Sequence, residues 1–134
     1  MKRMPIVVLV LISIFAIAQS KPRVIFHLQS ADSLVHKSIV NQIGNLKKEL
    51  PETEIELVCH GPGIEFLLNK NSTYAKRVDK LKLSHVTMVG CEFTMSQRNY
   101  KKEDLVSFAG TVPLGIAEIV KKQNAGWLYV KLGF

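Results

Sequence analysis

Five short runs rich in β-branched and apolar residues, alternating with stretches of helical periodicity, constrain the fold of this chain more than any other feature. The runs are Arg23–Leu28, Glu54–Cys59, Val86–Val89, Gly110–Val112 and Trp127–Val130. They are too short for helices, and most are apolar almost throughout, which is the mark of parallel strands buried on both faces. Between the first two runs, Val35, Ile39, Ile43, Leu46 and Leu50 recur at steps of three and four. That spacing predicts a helix with one buried stripe, begun by the capping side chains of Ser30 and Asp32 and ended by Pro51. Ile64–Leu68 predicts a short helix, and Tyr74–Leu83 a longer one with Tyr74, Val78 and Leu81 inward. Phe93–Arg98 and Glu103–Phe108 are short helical candidates. Leu114–Gln123 reads as a helix with Ile116, Ile119 and Val120 inward, stopped at Asn124-Ala125-Gly126. Strands and helices in alternation build βαβ units, so the expectation is a three-layer α/β/α domain around a five-stranded, mainly parallel sheet.

The first residues are read differently. Lys2-Arg3, the apolar run Ile6–Ile17 and Ala16-Ile17-Ala18 supply, in order, the cationic, hydrophobic and small-residue parts of a secretory signal peptide. Residues 1–18 are therefore expected to be removed, leaving 19–134 as a single domain in the periplasm or outside the cell. An uncleaved anchor is the competing reading, but Pro5 and Ser13 interrupt a run that falls short of the ~20 apolar residues a spanning helix needs. No second run can span a membrane, so no stable membrane association is expected after cleavage. Removing Lys2 and Arg3 lowers the net charge from +7 to +5. The remaining basic residues come as scattered pairs, such as Lys47-Lys48 and Lys121-Lys122. Without interleaved aromatics to stack bases, these read as solvated helix surface rather than as a nucleic-acid interface.

Ligands of open parallel sheets bind beyond the carboxyl ends of the strands. Three segments collect there: Cys59-His60-Gly61-Pro62-Gly63, Gly90-Cys91, and Val112-Pro113-Leu114-Gly115. Cys91 is the leading candidate. At the first turn of a helix, its thiol feels the dipole and unpaired backbone N–H groups, both of which favour thiolate. Glu92 opposes this if its carboxylate turns back on the sulfur, and a small buried residue at a strand end is the alternative. Cys59 reads as core. If strands two and three flank strand one, the cysteines sit two spacings of ~4.8 Å apart, too far for a disulfide with Cα atoms ~5.5–6 Å apart.

His60 can orient an anion or exchange a proton with a thiol, or simply brace its turn. The N–H groups of Gly61 and Gly63 suit a shallow anion nest. His27, His36 and His85 have no partners at metal-ligand spacing, so no metal is expected. Asp104 and Glu118 read as capping or surface charges, and no phosphate-binding glycine motif or Ser-His-Asp arrangement is present.

Several blocks resemble the DsrE/DsrF-like proteins of the YchN-like fold. They are Val58-Cys-His60-Gly61-Pro-Gly-Ile64 with Leu67-Leu68, Val89-Gly90-Cys91-Glu-Phe-Thr94-Met95, Asp104-Leu105, and Val112-Pro113-Leu-Gly115-Ile-Ala117-Glu118-Ile119 with Lys122-Gln123, Gly126-Trp127 and Tyr129. The likeness covers nearly all of residues 19–134. It implies a homo-oligomer, trimeric or hexameric, in which Cys91 carries a persulfide between a sulfur donor and an acceptor without a cofactor, in the manner of sulfur-relay proteins. It also implies a pocket lined by His60, Gly61, Gly63 and Pro113, with Thr94 bonded to the sulfur. Phe93 stands where the family commonly has Asn. The alternative on the same fold is a non-catalytic module for small-ligand binding or assembly.

Overall fold

The computed structural model describes residues 20–133, so the expected signal peptide at 1–18 lies outside the described residues. The five runs form strands β1 (Arg23–Leu28), β2 (Glu54–Cys59), β3 (Val86–Cys91), β4 (Gly110–Val112) and β5 (Leu128–Leu132). All pair in parallel, in the order β4-β3-β2-β1-β5. The helices are α1 (Ser33–Glu49), α2 (Thr73–Lys80), α3 (Glu92–Gln97) and α4 (Gly115–Asn124). Helices cover both faces, as the buried strands require.

One face is the main core. Val24, Phe26 and Leu28 of β1 and Ile55, Leu57 and Cys59 of β2 meet Val35, Ile39 and Ile43 of α1 and Val78 of α2. Asp32 caps α1 by accepting a hydrogen bond from the Leu34 N–H at 2.7 Å, satisfying one of the free amides at its start. The stripe fades at the helix end, where Leu50 is exposed. Side chains alternate along a strand, so Ile25 and Val58 point to the opposite face, where Ile119 of α4 and Trp127 cover them.

Three expectations about helices are corrected. Ile116 and Val120, predicted inward, are 47% and 60% exposed. Gly115 packs against His60, Val58 and Cys91, and this close approach turns the 115/119 side of α4 to the sheet. Residues 116 and 120, about 100° further round, are left outside. Leu81 likewise lies past the end of α2, exposed. Finally, Glu103–Phe108 is not a helix. After one 3₁₀ turn at Lys102–Asp104, Leu105 bridges Leu68, and the Val106 N–H bonds to the Leu67 carbonyl.

Strands two and three are neighbours and do not flank strand one. Cys59 stands beside Gly90, so the distance argument against a disulfide does not hold. Both cysteines are nonetheless free. Cys59 faces the main core, and Cys91, one residue beyond Gly90, faces the other way among Val58 and Gly115. Alternation of faces, rather than separation, keeps the thiols apart.

Candidate functional site

Cys91 is the last residue of β3 and the N-cap position of α3. It is 2% exposed. One hydrogen bond reaches its sulfur directly, from the Gly115 N–H at 3.2 Å, and the Thr94 hydroxyl and the first amides of α3 are its other polar neighbours. Burial alone raises the thiol pKa, but these donors outweigh it, and the thiol lies below its ordinary value of 9.0. Hydrogen bonds made to the charged form favour that form. Glu92 does not oppose them. Its carboxylate accepts a bond from the Thr111 hydroxyl on β4 at 2.7 Å.

Thr94 is aimed by its other partner. Its hydroxyl oxygen accepts the Gly61 N–H at 3.0 Å, which leaves its one proton free for the neighbouring sulfur. Gly115 is equally specific. A Cβ there would lie 3.1 Å from His60 Cβ, 3.2 Å from Val58 Cγ1 and 3.4 Å from Cys91 Cβ. A glycine lets the first amide of α4 come this close to the thiol without displacing these neighbours. The Pro113 carbonyl accepts the Phe93 N–H at 3.2 Å, tying the β4–α4 turn to α3.

The glycine turn after β2 serves geometry. Gly61 holds a positive φ of 51°, which costs a glycine little. Gly63 approaches β1 so closely that a Cβ would sit 2.2 Å from the Leu28 carbonyl oxygen. Because the Gly61 N–H is engaged by Thr94 and the Gly63 N–H by the His60 carbonyl at 3.0 Å, neither amide is free for an anion in this conformation.

His60 has a partner that the sequence did not reveal. Its Nε2 hydrogen-bonds Nε2 of His27, the rings stacked with centroids 4.6 Å apart, and His27 Nδ1 is 2.7 Å from the Tyr129 hydroxyl. Burial, then His60, then Lys131 depress His27 to about 4, and burial lowers His60 as well. The β1–β2 pairing brings the two imidazoles together, and their spacing of 33 residues gave no hint of it. The other candidates stay apart: His36 bonds the Ser30 carbonyl at 2.7 Å, Asp104 caps the Lys101 N–H, and Glu118 pairs with Lys122. Among the described residues, no group of three or more His, Cys, Asp or Glu side chains could hold a metal ion. None of their helices is long and apolar enough to cross a membrane.

The DsrE/DsrF-like family model matches residues 14–132. Among solved structures, the protein of unknown function MTH1491 from Methanobacterium thermoautotrophicum superposes with a TM-score of 0.77 at 26% identity, covering 82% of this chain and 98% of that one. No curated protein matches.

Proposed function

The chain belongs to the DsrE/DsrF-like family, and on that premise we propose that it is a sulfur carrier that holds a sulfane sulfur as a persulfide on Cys91. The observation that carries this is a buried thiol at the start of α3 that accepts the Gly115 N–H, its polar neighbours keeping its pKa down in spite of burial. Thiolate is the attacking form in sulfur exchange. The Cys91 thiolate attacks the outer sulfur of a donor R–S–SH. A Cys91 S–S bond forms, the donor's S–S bond breaks, and its electron pair leaves on R–S⁻. An acceptor thiolate then takes the outer sulfur and returns Cys91 to thiolate. The Gly115 amide that stabilises the attacking thiolate stabilises it again as the leaving group. No metal or organic cofactor enters either step.

The carrier reading extends to assembly and address. Ile116 and Val120 on α4 and Leu128, Tyr129 and Val130 on β5 leave apolar side chains exposed along an edge strand and its covering helix. Such a face suits a second copy of the chain, in line with a homo-oligomer. Lys2-Arg3, Ile6–Ile17 and Ala16-Ile17-Ala18 support export to the periplasm or beyond, where disulfides persist and the 2% exposure of Cys91 would shield a persulfide. A non-catalytic assembly module is the second reading, favoured by the same apolar face.

The carrier reading is tested by loading the protein with glutathione persulfide, removing the donor, and treating it with cyanide, which converts sulfane sulfur to thiocyanate. Near-stoichiometric thiocyanate that vanishes in Cys91→Ala supports a carrier. Thiocyanate at background level, with Cys91 still alkylated by iodoacetamide, leaves the assembly module.

A further inference from the structure

The carrier mechanism leaves one part-buried cluster without a role: Tyr129, His27 and His60, drawn from β5, β1 and the turn after β2. We propose that these three form a hydrogen-bonded proton relay serving Cys91, in which His60 exchanges the thiol proton while His27 and Tyr129 act through it as positioning residues. The relay rests on the carrier reading for its purpose.

Geometry carries the proposal. The chain runs from the Tyr129 hydroxyl through Nδ1 and Nε2 of His27 to Nε2 of His60. His60 Nδ1 has no hydrogen-bond partner among the described residues. His60 and Cys91 share one cradle. Their Cβ atoms lie 3.1 and 3.4 Å from a single point at Gly115 and so within about 6.5 Å of each other. The Gly61 N–H, next along the chain from His60, donates to the hydroxyl of Thr94 on α3, three positions on from Cys91. Since Cys91 is 2% exposed, bulk water is a poor carrier for its proton, and the His60–His27 pair on the same cradle can take its place. Nucleophile, base and a third group that orients the base form the arrangement that activates a thiol.

The proton bookkeeping closes. The Cys91 thiol gives its proton to His60 Nδ1. The resulting imidazolium donates Nε2–H to His27 Nε2, and His27 Nδ1–H is donated to the Tyr129 oxygen. When the donor's S–S bond breaks, the proton passes to R–S⁻, so that R–S–SH and Cys91–SH become R–SH and Cys91–S–SH. The charged neighbour facing the relay is Lys131, beside His27 on β5; it disfavours a resting imidazolium and keeps the pair neutral until the thiol ionises.

The test compares wild type with Tyr129→Phe, His27→Gln and His60→Gln, where Tyr129→Phe is the variant least able to disturb folding. Two readouts are taken: the pH dependence of Cys91 alkylation by iodoacetamide, and the solvent isotope effect on single-turnover sulfur uptake from glutathione persulfide. Proton transfer by a positioned group contributes about 10²–10⁴-fold, so His60→Gln is expected to slow uptake by about 100-fold and Tyr129→Phe by about threefold to tenfold. All three variants should alter the alkylation profile. Wild-type profiles and isotope effects in Tyr129→Phe and His27→Gln would overturn the relay while leaving the carrier reading intact. If wild type takes up no sulfur but its alkylation profile still depends on Tyr129 and His27, the relay stands and the carrier reading falls.

Discussion

Acid should destabilise this protein through His27, by an amount its environment sets. The imidazole titrates at 6.5 when the chain is unfolded and at about 4 in the fold, because burial, His60 and Lys131 all disfavour its charged form. Between these values the unfolded chain binds the extra proton and the native protein does not, so stability is full above pH 6.5 and falls as the pH drops toward 4. One pKa unit is worth 1.36 kcal/mol, so integrating from pH 7 to pH 4 gives a loss of roughly 3 kcal/mol from this residue. That is a substantial fraction of a domain's total of about 5–15 kcal/mol. Urea denaturation at pH 7 and pH 4, compared between wild type and His27→Gln, isolates the contribution, because carboxylates that titrate in the same window are common to both. The variant should lose roughly 3 kcal/mol less than wild type across that interval. Equal losses would show that His27 is not held neutral by its surroundings, and the tightly packed imidazole pair would have to be abandoned.

Three further outcomes follow from the same geometry. Thr94→Val removes the hydroxyl that helps to lower the Cys91 thiol pKa and leaves the Gly61 N–H unpaired, so iodoacetamide should alkylate Cys91 more slowly at pH 7, by up to about tenfold per unit that the thiol pKa rises. Gly63→Ala places a Cβ 2.2 Å from the Leu28 carbonyl oxygen, a clash with backbone that should cost roughly 3 kcal/mol or more in thermal or urea unfolding. Ile116→Asp with Val120→Asp adds charge to exposed positions of α4, and the proposed homo-oligomer predicts that sedimentation then shows a smaller assembly than wild type with protomer stability changed by less than about 1 kcal/mol.

The strands were legible in the sequence because apolar, β-branched runs have few alternatives. The stripe of α1 was legible because it packs on one broad core. The α4 stripe was misread because Ile116 and Val120 look like core in any helical projection. Which side faces the sheet is set by Gly115, whose missing side chain allows the helix start to touch Cys91 and His60. Strand order was out of reach: the chain steps β1 to β4 in one direction and then returns past β1 to place β5, and nothing local records that crossing. His27 was hidden for the same reason. Thr94 was legible beside Cys91 through the family resemblance, whereas the Gly115 donor arrives from a segment 24 residues away.

The central claim, that Cys91 takes up sulfane sulfur, is tested most directly by intact-mass measurement after exposure to polysulfide. The account predicts a gain of about 32 Da, reversed by thiol reductant, in wild type and Cys59→Ala and none in Cys91→Ala. No adduct in wild type, or an adduct that survives Cys91→Ala, would contradict it.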